Sequence, residues 1–241
     1  MKELMGSSLI NIQNILKKLF LLFNFLLIVL VIYILINYFK PLEKIKLKNL
    51  QYEDVQKLNI NGETFRDLNK NNLLDIYEDH RLDAEARSDD LLNQMNLEEK
   101  IGQMFHPPFT LKPDLWMLLY EIAIRGNKLP ETQILVDHIS HFNLYGNPAP
   151  KELAKKINHF QRIASKTRLG IPITISSDPI HEVPKGGGVA SFSVDGFSKW
   201  PSQLGFAATN DPKIIKEFAE IVKSEYLAVG IRTALHPMSD L

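Results

Sequence analysis

At 241 residues the chain has room for one domain or a little more. Its 28 basic and 28 acidic residues cancel, and no interleaved basic and aromatic patch stands out, so nucleic acid is not an expected partner. Cysteine is absent, which excludes disulfides, thiolate metal sites and a cysteine nucleophile and leaves the compartment open.

After an N-terminal tail over residues 1–18, Leu19 to Phe39 carry no charge. A bilayer core of ~30 Å needs about 20 apolar residues in a helix, and this run is long enough. Lys17 and Lys18 precede it and Lys40, Lys44 and Lys46 follow, so the flanking bias is small. The expectation is one transmembrane signal anchor over 19–39, uncleaved, with the globular part periplasmic or at the cell surface. A cleavable signal peptide is the competing reading. Its apolar core is normally shorter and ends in small residues, whereas Tyr38, Phe39, Lys40 and Pro41 end this one. A buried core helix is disfavoured because the run has no polar side. Residues 40–64 then read as a polar, Lys-rich linker.

Next comes a candidate metal loop. With Asp67 as position 1, Asn69, Asn71, Asp75 and Glu78 fall at positions 3, 5, 9 and 12, and the Leu73 carbonyl falls at 7. A hard cation takes six to eight oxygens, and this spacing predicts a structural Ca2+ site of EF-hand type. Asn72 replaces the glycine expected at position 6, and asparagine tolerates positive φ better than most residues. The other reading is a solvated polar turn ahead of the next helix.

Residues 83–95 and 96–106 read as helices. Asn96 and Glu99 form a capping box, and Leu97, Ile101, Met104 and Phe105 line one apolar face. Pro107–Pro108 ends the second helix. Leu115, Leu118, Leu119 and Ile122 predict another, broken by Gly126 and Pro130.

From Ile139 the chain alternates. A strand over 139–145 ends at Gly146. Pro150 opens a helix with Leu153, Ile157, Phe160 and Ala164 at helical spacing. A strand over Ile171–Ser177 runs into Asp178. After a long stretch to Asn210, Asp211–Pro212 starts a helix as N-cap and N1, striped by Ile214, Ile215, Phe218, Ile221, Val222 and Tyr226. Gly230 closes it, and Ile231–Pro237 is a further strand. The pattern predicts an α/β fold with parallel βαβ units. A complete (β/α)8, TIM-like barrel takes about 250 residues, so three strands after residue 138 predict only the first, incomplete part of a larger α/β domain. Ligands of such folds sit at the carboxyl ends of strands, where Asp178 and Asp240 lie. The segment after Asp178 exceeds ordinary connections and predicts a functional loop or insertion.

Several stretches together resemble glycoside hydrolase family 3, the family of many bacterial β-glucosidases. They are Asp67-Leu-Asn-Lys-Asn71 with Asp75-Ile-Tyr-Glu-Asp-His-Arg-Leu82, Asn96 to Met104, His141 to Gly146, Gly170 to Pro179, Trp200 to Thr209 and Ala234 to Asp240. The resemblance covers residues 65–241 and implies that family's first domain, a barrel or a collapsed variant of one. It implies that Asp178 binds hydroxyls of the sugar before the scissile bond, since an ionised carboxylate accepts two hydroxyls at once. The residues alone favour a cap or turn role for Asp178 before Pro179. His181 stands at the family's histidine position, with Ile180 and Glu182 departing from the usual neighbours.

A retaining glycosidase also needs a nucleophile and an acid/base about 5–5.5 Å apart. The resemblance places both, with the sugar-clamping arginine and a Lys-His pair, after Leu241. No catalytic residue is therefore assigned, and Asp240, Asp195 and Glu182 are not promoted. Other groupings carry less. Ser176, Ser177, Asp178 and His181 are triad residue types without triad geometry. His138 and His141 lack a third ligand. Lys185 to Gly188 lacks P-loop order. Trp200 is either a sugar-stacking or a packing residue. The reading is the membrane-anchored N-terminal portion of a β-glucosidase-like exo-glycoside hydrolase of carbohydrate catabolism. It needs no catalytic cofactor, acts on a β-linked glucoside or oligosaccharide, and is inactive or nearly so as this chain alone. The alternative is a non-catalytic, membrane-tethered carbohydrate- or calcium-binding remnant of that fold.

Overall fold

The structure is a computed structural model, and it describes residues 2–44, 55–111, 129–146, 148–178, 180–181 and 196–236. The expected helix around Leu115–Ile122 lies outside the described residues, as do Glu182, Gly186–Gly188, Asp195 and Asp240. The chain divides into two compact units, 1–47 with 114–128 and 48–113 with 129–241.

In the first unit, helix α1 spans Lys2–Lys44. Its Asn14–Ile36 span is long and apolar enough to cross a membrane, and a signal sequence has the same character. Asn24 donates its side-chain amide to the Phe20 carbonyl at 2.7 Å, so the polar group within the apolar run is satisfied inside the helix.

The second unit begins with an antiparallel hairpin, β1 (Lys57–Ile60) and β2 (Glu63–Arg66), pairing Leu58 with Phe65. Part of the stretch read as the 40–64 linker is therefore folded. The reason is local: Asn61 (φ 52°) and Gly62 (φ 85°) both take the left-handed conformation that a two-residue hairpin turn requires. Phe65 is buried, and the Arg81 guanidinium lies 4.7 Å from its ring centre.

Helices α2 (Ala84–Gln94) and α3 (Leu97–Gly102) follow, and the Asn96–Glu99 capping box forms. The expected apolar side of the second helix faces outward: Leu97 is 67% exposed and Met104 83%, while Glu99 is 4%. The cause is Arg168, which donates Nε to Glu99 Oε1 at 3.1 Å and Nη2 to Oε2, drawing the carboxylate inward. The helix also stops at Gly102 rather than 106.

Strands β3 (Pro108–Thr110), β4 (His141–Tyr145), β5 (Thr174–Ser177) and β6 (Ile231–Ala234) form one parallel sheet in that order. Between them run α4 (Pro130–Val136), α5 (Pro150–Ala164), α6 (Gln203–Thr209) and α7 (Pro212–Val229). Phe142, Leu144, Ile175 and Ile231 of the sheet pack with Leu153, Ile157 and Phe160 of α5 and Val222 and Tyr226 of α7. Each such side chain contributes roughly 1.5–3 kcal/mol through burial. Side chains alternate along a strand, so His141 and Asn143 of β4 point to the opposite, polar face of the sheet. This is a mixed α/β architecture with a parallel sheet, consistent with part of a barrel.

β5 starts three residues later than expected because Gln161 of α5 takes both backbone groups of Ile173. Its Oε1 accepts from Ile173 N at 3.0 Å and its Nε2 donates to Ile173 O at 2.6 Å. The long stretch after β5 contains α6, which buries Phe206 against Phe218 with ring centres 4.7 Å apart. Trp200 joins them at 5.4 Å from Phe218, so its ring packs. Pro130 opens α4 rather than only ending a preceding helix.

Candidate functional site

Asp178 is the first residue past β5, and it is half-buried. Of the four parallel strands, β5 alone is followed directly by a carboxylate; Leu111, Gly146 and Leu235 follow the others. Pairing of β4 with β5 sets Asn143 opposite Ser176. That register brings Asn143 Nδ2 to 3.4 Å from Asp178 Oδ2.

The partners of Asn143 define a directed chain of hydrogen bonds. Ser176 Oγ lies 2.8 Å from Asn143 Oδ1 and 2.8 Å from His106 Nε2. The amide oxygen only accepts, so the serine proton goes to Asn143, and His106 donates through Nε2–H. The chain His106 to Ser176 to Asn143 thus ends with a donor aimed at the Asp178 carboxylate. A second chain lies beside it: Ser140 donates to Gln103 Oε1, so His141 Nδ1, 2.9 Å from Ser140 Oγ, donates to the serine. Burial, and next the neighbouring His106, lower the His141 pKa and keep that ring neutral.

The backbone of Asp178 is held from α7. Tyr226 donates its hydroxyl to the Asp178 carbonyl at 3.0 Å, and burial is the main influence pushing that hydroxyl up to about 12, so it remains a donor at neutral pH. His181, buried at 1% exposure, meets Glu225 Oε2 through Nε2 at 2.7 Å. Burial lowers the His181 pKa against the opposing pull of Glu225, so the ring is neutral and its Nε2–H is the donor. Ser176, Ser177 and Asp178 do not join His181 in a triad, because the histidine turns to Glu225.

The loop from Asp67 to Glu78 brings all six candidate ligands into one turn, with Lys70 (φ 62°) and Asn72 (φ 64°) left-handed. The loop closes on its own hydrogen bonds. Asp67 accepts from Asn71 N at 3.1 Å and Asn72 N at 3.0 Å. Asn69 and Asn71 each donate Nδ2 to Asp75 Oδ2, at 2.8 and 2.7 Å. Glu78 accepts from Leu68 N at 2.6 Å, Asn69 N at 3.2 Å and Asp75 N at 3.2 Å. Leu73 N donates to Asn71 Oδ1 at 2.7 Å. Among the described residues no three His, Cys, Asp or Glu side chains converge as metal ligands. All the side chains here offer hard oxygen donors, and a cation would turn the two asparagine amides away from Asp75.

The loop also braces the approach to β5. Lys70 Nζ donates to Thr167 O at 2.6 Å and Tyr77 to Leu169 O at 3.2 Å. Gly170 (φ 58°) lies so close that a Cβ would stand 2.7 Å from the Leu68 carbonyl oxygen. A small pocket bordered by Glu99, Gln103, His138 and Ser140 lies toward the amino-terminal ends of β4 and β5, away from Asp178.

Sequence reasoning singled out Asp178 and the loop as candidates and passed over Asn143, His106, Glu225 and the hydroxyl of Tyr226. The alternation of His141, Asn143 and Tyr145 with buried Phe142 and Leu144 is the signal that marks Asn143.

Residues 96–241 match the family described as glycosyl hydrolase family 3 N terminal domain. Beta-glucosidase C of Emericella nidulans is 43% identical over 176 residues, covering 73% of this chain and 27% of that protein. A periplasmic beta-glucosidase/beta-xylosidase of Dickeya chrysanthemi is 41% identical over 186 residues, covering 76% and 28%. Probable beta-glucosidase C of Aspergillus oryzae is 41% identical over 175 residues, covering 71% and 26%. The chain thus spans little more than a quarter of the length of the curated relatives it matches.

Proposed function

Because this chain belongs to glycosyl hydrolase family 3 through that family's N-terminal domain, we propose that it supplies the sugar-holding part of a β-glucosidase-type exo-glycoside hydrolase. Asp178 is the group that accepts hydrogen bonds from hydroxyls of the glucosyl unit. One observation carries the reading: a half-buried carboxylate at the carboxyl end of a parallel strand, which among the described residues has a single long side-chain hydrogen bond, at 3.4 Å. Its remaining lone pairs suit two neighbouring hydroxyls, and hydrogen bonds to an ionised acceptor are the stronger kind.

The full reaction in this reading is a double displacement on a β-linked glucoside, which needs two carboxyl groups about 5–5.5 Å apart. We assign those groups to the part of such enzymes that this chain does not span. Asp178 orients the sugar and does not attack it. The helix near the N-terminus is read as an uncleaved anchor holding the second unit outside the cytoplasm, and the loop from Asp67 to Glu78 as the place where a structural calcium ion would bind.

The test is titration of methyl β-D-glucopyranoside into the detergent-solubilised 241-residue chain, followed by amide NMR shifts. Saturable shifts at Asp178 and Asn143, lost in Asp178→Asn, are expected. Binding that survives Asp178→Asn unchanged, or no binding at all, refutes the assignment.

A further inference from the structure

Two adjacent residues of α7 reach the exit of β5, and the second of them does more than the first. Tyr226 holds one carbonyl, that of Asp178. Glu225 holds two separate segments at once. Its Oε2 accepts from His181 Nε2 at 2.7 Å and from Ser198 Oγ at 3.0 Å. The Ser198 backbone N–H is shared between the two oxygens at 3.1 and 3.2 Å. The joined segments support each other: Trp200 N donates to His181 O at 2.7 Å, and Trp200 Nε1 donates to Ser198 Oγ at 2.9 Å. Among the described residues His181 Nδ1 is buried without a hydrogen-bond partner, so Glu225 makes the ring's side-chain hydrogen bond while Phe197 and Tyr226 pack against it.

We infer that Glu225 is a positioning residue for Asp178: by tying His181 and Ser198 to one point on α7, it fixes the backbone that leaves β5 and so aims the Asp178 carboxylate. Geometry supports a carboxylate here rather than any other group. Three donors converge on two oxygens, and a glutamate accepts all of them, whereas glutamine must turn an N–H toward one. A glutamine with its oxygen in the place of Oε2 keeps His181 Nε2 and Ser198 Oγ but sets its amide against the Ser198 N–H, and the reverse orientation sets that amide against His181 Nε2. Charge-assisted hydrogen bonds to a half-buried acceptor are the kind whose loss is felt locally. The inference rests on the reading of Asp178 as the sugar acceptor, and its first readout does not depend on that reading.

The experiment is NMR of the 241-residue chain in detergent with 15N-labelled histidine. Wild type is expected to show His181 protonated on Nε2 and donating to Glu225, a pairing that Glu225→Gln weakens by removing the acceptor's charge. Amide exchange at Asp178 and Ile180 should accelerate roughly tenfold in the variant, with β4 unchanged. His181→Gln offers an amide donor in place of Nε2–H and should retain slow exchange, whereas His181→Ala should lose it. This pair decides the matter should Glu225→Gln fail to fold. Unchanged exchange at Asp178 in Glu225→Gln, or in both His181 variants, overturns the inference. Methyl β-D-glucopyranoside then separates the two readings. Weakening in both Asp178→Asn and Glu225→Gln supports this inference. Weakening in Asp178→Asn alone overturns it and leaves the proposed function standing. Weakening in neither defeats the sugar reading itself, and with it the role given to Glu225.

Discussion

The carboxylates of this chain fall into two kinds, and the contrast between the loop ahead of α2 and the exit of β5 separates them. Asp67 and Glu78 are buried, and both oxygens of each face backbone N–H groups of their own loop. Glu99 likewise has its oxygens taken by Arg168 and Asn96. Asp178 is half-buried, and among the described residues its carboxylate has one donor, at 3.4 Å. A carboxylate with a donor on each oxygen holds structure, because both oxygens are already engaged. An unsaturated one at a strand exit retains the capacity to accept a ligand's hydroxyls.

If that division is right, removing a saturated carboxylate is costly to the fold. Asp67→Ala removes a buried carboxylate and its charge-assisted hydrogen bonds from Asn71 N and Asn72 N, and should destabilise the second unit by about 3 kcal/mol. Urea denaturation monitored through Trp200 fluorescence checks this, and a loss no larger than that of Asp178→Ala would erase the distinction.

Glu99 sharpens the same side through pH. Burial raises its pKa, but the Arg168 hydrogen bonds and the Asn96 N–H outweigh this, and the net shift is downward from 4.5. A lowered folded-state pKa means that the unfolded chain takes up the proton first. The stabilisation is therefore complete above pH 4.5 and is lost as pH falls through the folded value. The stability gap between wild type and Glu99→Gln should narrow steadily below pH 4.5 and stay flat above it; a gap that is constant from pH 7 to 3 contradicts the pairing.

On the other side, Asn143→Ala removes the one side-chain donor to the Asp178 carboxylate among the described residues and loosens its aim while leaving its charge. Affinity for methyl β-D-glucopyranoside should fall about threefold, equivalent to roughly 0.7 kcal/mol, with the urea midpoint nearly unchanged. Tighter sugar binding in that variant would mean that Asn143 competes with the ligand instead of orienting the carboxylate.

The smallest effect concerns calcium. The loop satisfies its own groups, so millimolar calcium should raise the melting temperature by only about 2–4 °C, corresponding to roughly 1 kcal/mol or less. Asp75→Asn should abolish that rise. A rise that persists in Asp75→Asn places the ion elsewhere.

Much of this was legible in the sequence wherever the cause is local. The spacing of Leu153, Ile157 and Phe160 predicts α5, and all three are buried. Asp211–Pro212 starts α7, with Asp211 accepting from Lys213 N. The Asn96–Glu99 box forms as its residues require. The Asn61–Gly62 hairpin was equally local and was passed over within a stretch judged by its charge.

What no local reading reaches depends on residues far apart in the chain. Periodicity marks an apolar side on α3 but not its direction, which Arg168 sets from 69 residues away by drawing Glu99 inward. Gln161, 12 residues before Ile173, delays the start of β5. The amino-acid sequence alone places a carboxylate at the end of a parallel strand, because strand patterns and turn residues act over a few positions. Only the tertiary structure chooses the companions of Asp178. Strand register delivers Asn143, and the packing of α7 delivers Tyr226 and Glu225, because hydrogen bonds across elements depend on how those elements pack.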